Sequence, residues 1–212
     1  MPTLYHYHDC PYCFRVRAAC AERDIPFVSD ECDRDAPPPE LSSLNPLQRL
    51  PIWVTDKGKP VFGSTTIALY LDATETAGAR LFPDDPLQRA RCLMAEEIAT
   101  QGLLEPLLRL DGNVGSRASA DWDVDRWRRD AARIRQVLGV LEQLLGGRPW
   151  LVGDALSYAD LCLAQPLTIL ERFGLDLHGL PGLQDLAERL SKRPSIVRAR
   201  KSSVRERAHA AG

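Results

Sequence analysis

No stretch of the 212-residue chain is apolar for long enough to span a bilayer, which excludes a long apolar membrane helix. Internal repeats and low-complexity segments are missing as well, which excludes repeat architectures. The first residues, Met1-Pro2-Thr3-Leu4-Tyr5-His6-Tyr7, lack the positive cluster and apolar run of a signal peptide, so the expected setting is reducing and cytoplasmic, with no membrane partner. Charge of one sign is also scarce: the net value is −2, too small for a general polyanion binder. What is present is a globular composition, 44% apolar and 26% charged, enough for one large domain or two small ones with a core that needs no disulfides. In that setting the six cysteines (Cys10, Cys13, Cys20, Cys32, Cys92, Cys162) are expected as thiols. A CxxC pair then reads as redox or metal chemistry before it reads as a staple.

The pattern changes near residue 78. Before it, short apolar runs alternate with helical ones. Thr3–Tyr7 favours a strand, and Tyr12–Arg23 has helical spacing with Val16, Ala19, Cys20 and Arg23 on one side. Phe27–Ser29 suits a second strand, followed by an acidic loop from Asp30 to Asp35 and the breaker Pro37-Pro38-Pro39. Ile52–Thr55 and Pro60–Phe62 flank Asp56-Lys57-Gly58-Lys59 as a hairpin, and Ser64 is placed to cap a helix running to about Ala77. The order β-α-β-α-β-β-α makes a small mixed sheet with helices on it. Gly78–Pro86 reads as a linker. Beyond it lie a long helix Leu87–Leu110, a polar loop Gly112–Asp121, an amphipathic helix Val124–Leu145 stopped by Gly146-Gly147, a helix opened by Ser157-x-x-Asp160 with Leu156 and Leu161 as its staple, and a last helix marked by Leu183, Leu186 and Leu190. The expected domains are therefore 1–77 and 87–212, joined by 78–86.

Chemistry concentrates at Cys10-Pro11-Tyr12-Cys13, between a strand and a helix. A helix N-terminus offers unpaired N–H groups and the positive end of the dipole, and both favour a thiolate. Pro11 suits the first turn because it has no N–H to leave unpaired. Cys13, one turn on, is placed to attack a mixed disulfide formed at Cys10, so both one-thiol and two-thiol cycles are permitted. His6-x-His8-x-Cys10-x-x-Cys13 contains four zinc-ligand types. The strand runs toward the cysteines and leaves His6 far from them, so the histidines read as partly exposed strand residues and no metal is expected.

The segment Cys10-Pro11-Tyr12-Cys13-Phe14-Arg15-Val16-Arg17 after a short strand resembles the start of the thioredoxin-like domain shared by glutaredoxins and cysteine-type (omega-like) glutathione transferases. Leu50-Pro51 before Ile52-Trp53-Val54 resembles the cis-proline loop of that fold, and Asn45-Pro46 upstream fits it. Ser64 is similar to the family's serine for the γ-glutamyl carboxylate, and the helical second half looks like the transferase C-terminal domain. The resemblance covers essentially the whole chain. It implies an α/β thioredoxin-like N-terminal domain plus an all-α C-terminal domain that completes an acceptor pocket, glutathione as co-substrate, and a homodimer. It places Cys10 and Cys13 in catalysis, with Pro11, Tyr12, Leu50, Pro51, Gly63 and Ser64 around glutathione. Leu50 would pair its backbone with the cysteinyl part like one more strand. Gly63 departs from the acidic or amide residue usual before the serine; one side-chain contact is missing, a loss of about 1.5–3 kcal/mol. Arg49 and Arg34 are the candidates for the glycyl carboxylate.

The remaining features have plain readings. Tyr5 and Tyr7 are core or wall residues, and Trp122, Trp127 and Trp150 pack. Glu97, Gln101 and Glu105 form a stripe on one helix, read as solvated or a dimer edge ahead of an acceptor cleft. The basic run Lys192–Arg207 reads as a solvated, fraying end, with no nucleic-acid partner expected. The implied activity is transfer of glutathione to or from small electrophiles or mixed disulfides. The alternatives are a dithiol disulfide reductase using Cys13 and a non-enzymatic relative that binds or regulates.

Overall fold

A computed structural model describes residues 1–114 and 123–201. Two compact units divide the chain: Met1–Leu81 together with the stretch beginning at Arg193, and Phe82–Lys192.

The first unit is built on four strands in the order β2-β1-β3-β4. β1 (Thr3–His6) pairs parallel with β2 (Val28–Glu31) and antiparallel with β3 (Ile52–Val54), which pairs antiparallel with β4 (Pro60–Phe62). The expected strands are present, and β2 takes in Asp30 and Glu31, which were expected in the loop. Alternation sorts β1 between two layers. Leu4 lies opposite Trp53 and joins Val16, Cys20, Ile67 and Leu71 under α1 (Pro11–Glu22) and α3 (Ser64–Thr74). Tyr5 lies opposite Ile52 on the other face, with Cys13, Cys32, Leu41 and Leu50. The short α2 (Leu41–Leu44) contributes Leu41 there.

α1 is not amphipathic in the expected way. Every residue from Cys13 to Cys20 is buried, Arg15 and Arg17 included. The cause is α10 (Pro194–Lys201), which packs on α1. It was expected at the end of the helical domain and as a fraying tail. Instead Glu22 accepts from Arg193 Nε at 2.8 Å and Ser195 Oγ at 2.5 Å, and Arg198 donates to the Ala21 carbonyl and to Asp24. Arg205 and Arg207 lie outside the described residues. At the same C-terminal end of α1, Arg23 is buried against Asp72 at 2.6 Å and donates to the carbonyls of Glu75 and Ala77. Gly78, at φ +67°, follows this knot, where a Cβ would stand 2.7 Å from Arg23 Cα.

The second unit is helical. The expected long helix is present as α4 (Pro86–Glu97), a π-helical stretch Ile98–Leu104 and α5 (Glu105–Val114), extending into the region expected as a polar loop. Pro106 explains the interruption: its ring clashes with the carbonyl four residues back in a regular α-helix, and the wider turn before it relieves that clash. Gly102 in this stretch lets α6 (Val124–Leu145) approach, since a Cβ would lie 3.1 Å from Val137 Cγ1. α6 buries Ala131, Ile134, Leu138, Leu141 and Leu145 and ends at Gly146 in the left-handed region, as expected. Glu142 accepts the N–H groups of Gly182 at 2.9 Å and Leu183 at 2.8 Å, closing the start of α9 (Pro181–Lys192). α7 (Tyr158–Leu163) begins at the expected Ser157, and Asp160 accepts from Ser157 N and Oγ, both at 2.8 Å, and from Leu151 N at 2.9 Å. The four-residue α8 (Pro166–Ile169) follows it. Trp150 is buried and Trp127 half-buried, while Trp122 lies outside the described residues. Glu97, Gln101 and Glu105 are exposed, which fits the solvated stripe. Among the described residues no helix is long and apolar enough to cross a membrane.

Candidate active site

Cys10 is the N-cap of α1, with extended backbone (φ −74°, ψ 121°) and Pro11 in the first turn. Its sulfur accepts the Cys13 N–H at 3.5 Å, and its carbonyl accepts the Phe14 N–H at 2.9 Å. The thiol is lowered to about 7, first by a hydrogen bond from the Cys13 side chain, then by the backbone N–H groups of Cys13 and Tyr12 and the charge of Arg34, against burial. Cys13 behaves in the opposite way. It is fully buried, and burial together with the neighbouring Cys10 sulfur pushes its thiol far up. One sulfur is therefore poised as an anion at neutral pH and the other as its hydrogen-bond donor. All six cysteines are thiols, as expected.

Cys10, Cys13 and Leu50 meet in one apolar cluster with Tyr5, Tyr7 and Cys32. Leu50-Pro51 is a cis peptide, matching the expected loop. That loop is organised by the buried Asn45, whose amide donates to the Arg49 carbonyl at 2.8 Å and whose side-chain oxygen accepts from Leu47 N at 3.0 Å. Leu50 stands outside the ladder, which begins at Ile52. The Pro51 carbonyl accepts the Gly63 N–H at 3.4 Å, which brings the start of α3 beside the loop.

Ser64 differs from expectation. The N-cap of α3 is Gly63, no side chain caps the helix, and the buried Ser64 is its first residue. Gly63 has φ +86°, a conformation that strains any residue with a Cβ; this accounts for glycine where the resemblance leads one to expect a longer side chain. Pro11 and Tyr12 are half-buried, and the Tyr12 ring lies 5.2 Å from the Arg15 guanidinium. Of the two arginines considered for a carboxylate, Arg34 is near the thiol: it pairs with Asp9 at 2.7 Å and lies 4.2 Å over the Tyr7 ring. Arg49 is exposed.

The histidines are corrected by the fold. β1 ends at His6, and His6 is completely buried while His8 is exposed. Among the described residues no cluster of His, Cys, Asp or Glu is arranged to hold a metal. His6 Nε2 lies 2.7 Å from Ser29 Oγ and Nδ1 lies 3.0 Å from Arg17 Nη1. A guanidinium has donors alone, so Nδ1 accepts and Nε2 carries the proton toward Ser29. Burial and the Arg17 charge lower His6 to about 4, and the ring is neutral. Sequence reasoning missed both Arg17 and His6; the available signal was an arginine among apolar residues of the helix that follows Cys10.

A mixed sheet closed by a cis-proline loop, with a thiol at the start of its first helix, defines a thioredoxin-like unit, here followed by an all-helical one. The first matches the glutathione S-transferase N-terminal domain over residues 4–78, and the second matches the glutathione S-transferase C-terminal domain over residues 129–194. The chain is 30% identical to maleylacetoacetate isomerase of Rattus norvegicus over 200 residues, covering 89% of this chain and 87% of that one. It is also 30% identical to FtsZ-localized protein A of Caulobacter vibrioides over 181 residues, covering 81% and 78%. A crystal structure of a glutathione S-transferase from Methylobacterium radiotolerans, in complex with glutathione sulfonate, superposes with a TM-score of 0.79 at 26% identity, covering 93% of each chain. The chain belongs to the glutathione S-transferase family.

Proposed function

We propose that this chain is a glutathione-dependent thiol transferase in which Cys10 is the nucleophile. The observation that carries the reading is the contrast between the two thiols: Cys10 at the helix start, lowered to about 7, and Cys13 buried beside it and pushed up. In the cycle, the Cys10 thiolate attacks the glutathione sulfur of a mixed disulfide. A Cys10–glutathione disulfide forms, and the other thiolate leaves and takes a proton. A second glutathione thiolate then attacks the glutathione sulfur held on Cys10, releasing oxidised glutathione and the Cys10 thiolate. Small electrophiles already joined to glutathione are alternative substrates.

The surroundings fit glutathione. Leu50 is free of the ladder at the end of β3 and suits strand-like pairing with the cysteinyl residue. The first turn of α3 has Ser64 and uncapped N–H groups for a carboxylate. Arg34 supplies a cation on the Cys10 side. The glutathione sulfonate in the Methylobacterium relative agrees with this ligand. No metal or nucleic acid is part of the reading, and the setting is a reducing cytoplasm. A homodimer is supported by exposed Leu47 and Phe62 in the first unit and by Leu87 and Met94, seven residues apart on α4, in the second.

The burial of Cys13 favours the one-thiol cycle over a dithiol reductase. Replacing Cys10 by Ser is expected to abolish reduction of a glutathione mixed disulfide, whereas Cys13→Ser retains it. Loss of turnover in both variants would turn the reading to the dithiol cycle, and survival in Cys10→Ser would end it. A second reading follows the rat relative's name: reversible addition of a thiolate to the cis double bond of maleylacetoacetate would allow rotation and elimination. Isomerisation of that compound in the presence of glutathione decides it. The FtsZ-localized relative keeps a binding role in view; it is favoured if the protein neither binds glutathione nor turns over any thiol substrate.

A further inference from the structure

Arg17 is 3% exposed, and the partners of its guanidinium include no carboxylate. Nη1 donates to His6 Nδ1 at 3.0 Å and to the Tyr7 carbonyl at 3.2 Å. Nη2 donates to the His8 carbonyl at 2.8 Å, and Nε donates to the Ala199 carbonyl of α10 at 3.1 Å. Tyr7 and His8 form the segment that leaves β1 and delivers the chain to Cys10.

We propose that Arg17 is a positioning residue for Cys10: one guanidinium ties the Tyr7 and His8 carbonyls to α10 and so holds the turn that sets Cys10 at the start of α1. The inference rests on the reading of Cys10 as the nucleophile. Three observations support it. First, the fork spans three separate backbone carbonyls that no single ammonium reaches together. Second, His6 is locked as a neutral acceptor by Ser29, so it takes a hydrogen bond without adding a second positive charge. Third, the cation stays uncompensated by contact and acts on the thiols above it: both Cys10 and Cys13 interact with Arg17 through charge, as do Glu31 and Asp9. The other groups acting on Cys10 are Cys13 and the Tyr12 N–H of its own helix and Arg34 after β2, with Tyr7 beside it. α10, moored to α1 through Glu22, is thereby part of the support of the nucleophile.

The test is the rate of Cys10 alkylation by iodoacetamide against pH in the full chain and in Arg17→Met and Arg17→Lys. The wild-type inflection is expected near 7. In Arg17→Met it should rise by about one unit, slowing alkylation at pH 6.5 about tenfold while leaving the rate at pH 10 unchanged. Arg17→Lys keeps the charge and loses the fork, and should slow it about threefold at pH 6.5. A folded arginine variant with the wild-type inflection overturns the proposal, even if its Tm falls, because a structural role alone lowers Tm without moving the titration. Should both variants fail to fold, Glu22→Gln decides, since it loosens α10 without touching Arg17: a higher inflection supports the proposal and an unchanged one overturns it. A wild-type inflection near the ordinary thiol value of about 8.5 would instead sink the reading of Cys10 itself, so the two failures are distinguishable.

Discussion

Two buried arginines of the α1 segment, Arg17 in mid-helix and Arg23 at its C-cap, do different work. Arg23, at the C-terminal end, is neutralised by Asp72 at 2.6 Å, and Arg80 and the Leu81 N–H also bind that carboxylate. This is an ion pair closed on itself, sealing the end of α3 and the segment after it. Arg17, one turn and a half nearer the N-terminus, faces carbonyls and a neutral imidazole instead. Its charge is left to act on the Cys10 and Cys13 sulfurs. The contrast teaches a general distinction: a buried cation cancelled by a carboxylate fastens the fold, and one held by neutral dipoles leaves a field for a nearby anion.

The sharpest separation of the two settings comes from Cys10→Ser, which should remove at least about a thousandfold of the thiol-transfer rate with little change in Tm. At the C-cap, Asp72→Ala leaves Arg23 buried without its carboxylate and should cost about 3–5 kcal/mol of stability. Urea unfolding measures that loss, and the folded fraction should titrate at Cys10 as the wild type does. A shifted Cys10 titration in that variant would break the distinction between the two arginines. His6 gives an effect of intermediate size. Its pKa is lowered to about 4 in the folded chain against about 6.5 unfolded. The unfolded state therefore binds the extra proton first as pH falls. Stability is full above 6.5 and is lost between 6.5 and 4, by roughly 3 kcal/mol. Thermal melts across that window should show the loss, and His6→Asn should flatten it. The smallest effect is expected from Arg34→Ala, which removes an exposed cation that helps lower Cys10; alkylation at pH 7 should slow about twofold.

Much of the architecture was legible because the determinants are local. Cys10-Pro11 marks a helix start, Lys57-Gly58 a hairpin turn, Gly146 a helix stop, and Ser157 with Asp160 a cap. The candidate site was legible to the same extent: Cys10 shares a cluster with Leu50, and Pro51 is bonded to the start of α3, through elements that the local pattern marks. What escaped depends on partners distant in sequence. Glu22 and Arg193 are 171 residues apart, so nothing near either one reveals that α10 returns to cover α1. That return is also what buries Arg17. His6 followed a strand pattern that predicts its face and not its depth. Ser64 was displaced by one position because Gly63 takes a backbone conformation that no neighbouring residue announces. The π-helical turn before Pro106 was visible in principle, since a proline inside a long apolar-periodic run demands some adjustment.

The central claim is that Cys10 is an accessible thiolate at neutral pH in a site for glutathione. Its most direct measurement is the alkylation rate of Cys10, followed by mass spectrometry from pH 5 to pH 10 with and without glutathione. An inflection near 7 with protection by glutathione is the expected result. An inflection near the ordinary thiol value of about 8.5, with no protection, would contradict it.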